Sequence, residues 1–108
     1  MLNYLKEEIQ EFSEKSFGVR NGVEAKGPLN HLKEEVDELI EALGKGGKEE
    51  EEEWADCLLL FLDAFRIRYG NSTSYNKLLY YALNKLDVIK KRNYDKEPDE
   101  NGIFRRKK

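Results

Sequence analysis

The chain has 108 residues, 39% hydrophobic and 38% charged, with eight glycines and two prolines. Apolar residues recur throughout, which excludes a disordered polyelectrolyte and bounds the chain to one modest folded domain, 12.7 kDa in mass. One cysteine, Cys57, and one histidine, His31, exclude an internal disulfide, a histidine-rich metal centre and a cysteine–histidine protease.

The net charge of −3 hides an asymmetry. Residues 34–56 carry a balance of −9 and residues 85–108 a balance of +4. An acidic middle concentrates cations and a basic end meets phosphates, although solvated helix faces would give the same arithmetic. The longest apolar run, residues 57–62, is too short to span a bilayer. The first ten residues read as an acidic amphipathic helix, not a leader, so a cytoplasmic protein without membrane or nucleic-acid partners is expected.

Taken in chain order, Leu2, Leu5, Ile9 and Phe12 recur at helical spacing and predict a first helix ending near Gly18. A polar stretch to Gly27 follows. Pro28 suits the first turn of a second helix, whose apolar stripe is Leu32, Val36, Leu39, Ile40 and Leu43. Gly44, Gly46 and Gly47 end it. A third helix starts in the glutamates of residues 49–53 and stops before Gly70. Residues 57–65 are apolar almost all round, which predicts a central helix covered on several sides, with Cys57 as a buried structural thiol. Tyr75, Leu79, Ala82, Leu86 and Ile89 form a bundle seam in a fourth helix. Pro98 lies in a break, and the division expected is a helical domain over residues 1–93 with a basic tail over 94–108. No segment has strand period, so the fold class is all-α, a four-helix bundle.

The informative constellation is Glu34-Glu35-Val36-Asp37-Glu38 followed by Glu53-Trp54-Ala55-Asp56. Residues three apart share a helix face, with Cβ atoms about 5–6 Å apart. Glu35 and Glu38 therefore converge, as do Glu53 and Asp56, and an antiparallel pair of helices joined through Gly44–Gly47 brings all four carboxylates together. Oxygen ligands alone select a hard cation, Mg2+ first and Mn2+ second. Asp56 and Asp63 sit in the most apolar part of the chain, where a carboxylate needs a cation or a hydrogen-bond donor. A di-iron bundle would need two Glu-x-x-His motifs, which one histidine cannot supply.

These residues resemble the MazG-like all-α nucleoside triphosphate pyrophosphohydrolases, whose signature is EExxE, a spacer and ExxD. The chain resembles the short dATP/dGTP diphosphohydrolase branch further at residues 14–18 (EKSFG), 27–32 (GPLNHL), 85–92 and 98–102 (PDENG). Ile89 stands where that branch usually has Asn in its last helix. The resemblance implies a MazG-type fold assembled as a homo-dimer or dimer of dimers, and cleavage of a nucleoside triphosphate, a purine dNTP, to monophosphate and pyrophosphate. Glu35, Glu38, Glu53 and Asp56 would hold the metal, and Glu34 or Glu35 would act on the water. His31, Asp63, Lys85 and Arg92 are the candidate substrate contacts, the last two as cations on one face of helix four. Two competing expectations are a Mg2+- and nucleotide-binding module of the same fold without turnover, and a helical interaction module without metal.

Overall fold

The computed structural model describes all 108 residues. It contains four α-helices and one short 3-10 turn: α1 (Leu2–Phe17), η1 (Gly22–Ala25), α2 (Lys26–Ala42), α3 (Gly47–Tyr69) and α4 (Tyr75–Ile89). No strand is present, and the fold is all-α as the periodicity predicts. The chain forms two compact units, Met1–Tyr75 and Asn76–Lys108.

In the first unit, α3 packs against α1, η1 and α2. The α2–α3 link is residues 43–46, short enough to force an antiparallel helical hairpin. Gly46 and Gly47 both have positive φ, at 68° and 74°, which lets the chain reverse without a side-chain clash. Leu39 and Ala42 are buried on α2. Val36, Ile40 and Leu43 from the same predicted stripe are exposed, at 38%, 60% and 50%. The third helix also departs from expectation. Its buried stretch is Leu62 to Ile67, whereas Leu58 and Phe61 are about half exposed. The physical reason lies in the neighbours: Ala25 of η1 packs on Ala64 and Ile67, and α1 reaches the same end through Ser13.

The predicted stripe of α1 also shifts. Phe12 is exposed, and the buried line continues from Ile9 to Ser13, one turn on. A hydroxyl is tolerated there because it is fully spent. Ser13 Oγ donates to Asp63 Oδ2 at 3.0 Å and accepts from Arg20 Nη2 at 3.0 Å and Arg66 Nη2 at 3.1 Å. Arg66, 2% exposed, also donates from Nε and Nη2 to Asp63 Oδ1 at 3.0 and 2.8 Å, and from Nη1 to Asn71 Oδ1 at 2.7 Å. Every nitrogen of this buried guanidinium thus has an acceptor, which is the condition for burying a charge at tolerable cost. Tyr75 closes this end, donating its hydroxyl to the Leu62 carbonyl at 3.1 Å, and burial pushes its pKa up to about 12.

The second unit begins with α4, whose predicted seam residues Leu79 and Leu86 are 48% and 45% exposed. Residues 94–108 are not a free tail. Asp95 N donates to the Arg105 carbonyl and Lys107 N to the Asn93 carbonyl, each at 2.8 Å, so the segment folds back as an irregular hairpin. Asp99 organises the bend: Oδ1 accepts from the amides of Asn101 and Ile103, and Oδ2 from Arg105, all at 2.9 Å. Those bonds, the Ile103 amide foremost, hold its carboxyl below the usual range.

Removing Arg66 leaves the Asp63 carboxylate short of its buried partner. Arg66→Ala is expected to cost about 3 kcal/mol or more in urea unfolding. A loss well below about 1 kcal/mol would mean that the network is not the clamp described.

Candidate metal centre

The hairpin brings three of the four predicted carboxylates together. One oxygen from each of Glu35, Glu38 and Glu53 lies within 4.8 Å of the others. Glu35 and Glu53 are half-buried and Glu38 is exposed. Asp56 is exposed and lies outside this group, one helical turn after Glu53. The expectation that it is embedded in apolar surroundings fails, because α3 is open to solvent at this level. Glu34 is exposed beside the cluster, and His31 Nε2 lies 3.3 Å from Glu35 Oε1 with 58% of its side chain exposed.

Such proximity raises an electrostatic problem. Glu35 is pushed up to about 7, first by its hydrogen bond to Glu38, then by that to Glu53, burial and the charges of both neighbours. One proton shared among carboxylates is the ordinary response of like charges that cannot separate. Meanwhile Glu53 Oε2 is buried without a hydrogen-bond partner. A carboxylate with one oxygen buried and unbonded, grouped with two further carboxylates, fits a divalent cation with oxygen ligands. Cys57, one turn after Glu53, is half-buried instead of fully buried. Burial and the surrounding carboxylates push its thiol up, away from thiolate chemistry.

The other predicted residues belong to other stretches of the chain. Asp63 lies at the far end of α3, both oxygens engaged by Ser13, Arg20 and Arg66. Lys85 is exposed on α4. Arg92 is not on α4, which ends at Ile89; its amide bonds the Ile89 carbonyl in the turn beyond. The two cations therefore do not share a helix face. The sequence reading missed Ser13, Arg20 and Arg66. A signal for Arg66 existed: an arginine in an apolar run, three residues after Asp63, has an intrahelical partner. None marked Ser13 or Arg20.

The three carboxylates gathered on this helical hairpin form an oxygen-only set compatible with a divalent cation. The sequence profile of the dATP/dGTP pyrophosphohydrolase family matches residues 5–106, and the chain belongs to that family of nucleoside triphosphate pyrophosphohydrolases. Among curated proteins and solved structures, no match is found. No helix is long and apolar enough to cross a membrane.

The shared proton has a consequence for stability. A carboxyl whose pKa is raised to about 7 on folding favours the folded chain at low pH and gives up that advantage as pH rises through about 7. The Tm of the metal-free protein is expected to fall between about pH 5 and pH 8, and Glu35→Gln to flatten the fall. Parallel curves for the two proteins would contradict the carboxylate geometry.

Proposed function

We propose that this chain hydrolyses a purine deoxynucleoside triphosphate between the α and β phosphates, giving the monophosphate and pyrophosphate, and that it needs Mg2+, with Mn2+ as a substitute. The observation that carries this reading is the Glu35–Glu38–Glu53 cluster with its orphaned Glu53 oxygen. Membership of the dATP/dGTP pyrophosphohydrolase family supplies the substrate class.

In this reading Glu35, Glu38 and Glu53 hold the cation, and Asp56 joins them from the next turn of α3. Bound there, magnesium supplies positive charge to the phosphoryl oxygens and lowers the pKa of a nearby water. Glu35, or Glu34 beside it, orients the attacking water and takes its proton. His31, whose Nε2 lies 3.3 Å from Glu35 Oε1, contacts a phosphate oxygen in this reading. Lys85 and Arg92 neutralise the leaving pyrophosphate. Asp63 contributes through the helix packing it secures, its oxygens being committed to Ser13 and two arginines.

The chain works as a homo-dimer or homo-tetramer in this account. Val36, Ile40 and Leu43 on α2, and Trp54, Leu58 and Phe61 on α3, are each spaced for one helix face and exposed. A second copy of the hairpin would remove those faces from water. Light scattering that reads a mass near 12.7 kDa for the active protein would count against it.

Phosphorus NMR of the reaction with dATP is expected to show pyrophosphate as the first product, only with the divalent cation present. Glu38→Ala should lower kcat by about a hundredfold or more while leaving the helical circular dichroism unchanged. Orthophosphate as the first product, or near-normal turnover by the variant, would overturn the assignment.

A further inference from the structure

The far end of the hairpin holds a cation that the fold leaves partly unspent. Arg20, in the turn between α1 and η1, has its guanidinium 5.2 Å above the Phe17 ring. Of the five N–H donors of a guanidinium, those used are on Nη2, which bonds Ser13 Oγ at 3.0 Å and Asp63 Oδ2 at 3.2 Å. Nε is buried with no acceptor. Nη1 carries no hydrogen bond and lies against Gly27, 3.6 Å from where a Cβ would stand.

The local pairing is uneven in the same sense. Arg20 and Arg66 share one directly bonded carboxylate, Asp63, with Glu14 reaching Arg66 only through Asn71, and the Arg20 side chain is 20% exposed. A half-buried cation with unused donors is unfavourable until an anion meets it. Neither arginine is needed twice for the helix packing: Arg66 alone satisfies Asp63 Oδ1 and reaches Ser13.

Position supplies the occupant. Gly27, His31 and Glu35 follow one another at four-residue steps along α2, so they line one face of that helix. Gly27 and Glu35 are about 12 Å apart along the axis, with His31 midway. Arg20 therefore stands at one end of a line whose other end is the carboxylate cluster. We infer that Arg20 receives the β and γ phosphates of the substrate, the part released as pyrophosphate, with Nη1 as the donor that meets them. This rests on the hydrolase reading above and adds to it a phosphate-holding cation from the α1–η1 turn. A planar guanidinium holds Ser13 and Asp63 with Nη2 while Nη1 stays free to meet a phosphate, a division that a lysine ammonium does not reproduce.

The test compares inorganic pyrophosphate with dAMP as ligands of the wild-type protein and of Arg20→Lys, which keeps the charge beside Asp63. The variant is expected to bind pyrophosphate about tenfold to a hundredfold more weakly and to raise KM for dATP by a similar factor, with dAMP affinity unchanged. Pyrophosphate and dAMP weakened alike, or neither weakened, would overturn the inference. The wild-type protein offers a readout that does not depend on a variant folding. Pyrophosphate should shift the Arg20 Nε–H resonance in nitrogen-15 spectra and dAMP should not, and an unmoved resonance would equally overturn it. The two readings fail separately. Turnover of dATP with an Arg20 indifferent to pyrophosphate removes only this inference. Pyrophosphate held by Arg20, without its release from dATP, removes only the activity.

Discussion

The short link between α2 and α3 is the constraint on which the site depends, because it fixes the register of the two helices that carry the acidic pairs. With residues 43–46 as the whole connection, Glu53 has to lie opposite Glu35 and Glu38. Three carboxylate oxygens within 4.8 Å are mutually repulsive, and the chain answers with a shared proton on Glu35, raised to about 7. Packing alone gives no reason to gather these groups, since solvated glutamates one turn away would cost nothing. A divalent cation would turn the repulsion into attraction, at a cluster where Glu53 already has one oxygen buried and unbonded.

The opposite end of the same hairpin solves a different problem with the opposite charge. Arg66 is buried with every nitrogen engaged, and it ties α3 to α1 through Ser13 and to the α3–α4 turn through Asn71. That clamp frees Arg20 from a purely structural duty. The hairpin is thus electrostatically polar along its length, acidic where a cation would sit and cationic near Gly27. A linear polyanion carrying a metal ion has one favourable direction in such a field. The ordering of groups along α2, Gly27 then His31 then Glu35, is what joins the fold to the proposed chemistry.

Much of this was legible in the sequence, for reasons that can be named. The helices follow from apolar periodicity and from glycines where the chain must turn, and α4 begins and ends where its seam does, at Tyr75 and Ile89. The Glu35–Glu38–Glu53 association follows from three-residue spacing and a short link, both local properties. What was not legible is long-range. Ser13 reads as a polar interruption of a stripe until Asp63, fifty residues later, is placed against it. Arg20 lies in a segment without periodicity, so nothing local says what its guanidinium meets. Asp56 was expected among apolar neighbours because α3 is apolar there, but side chains such as Leu58 and Phe61 are themselves half exposed. Burial belongs to the assembled neighbours of a helix, and composition alone does not report it.

The central claim is that the gathered carboxylates exist to hold a divalent cation. The most direct measurement is Mn2+ binding to the nucleotide-free protein, followed by electron paramagnetic resonance, for the wild-type chain and for Glu53→Gln. The account predicts saturable binding by the wild type, competed by Mg2+ and strengthened as pH rises through about 7, where Glu35 gives up its proton. It predicts loss of that binding in the variant, whose neutral amide removes one of the three converging carboxylates. Equal binding by both proteins, or none by either, would contradict it.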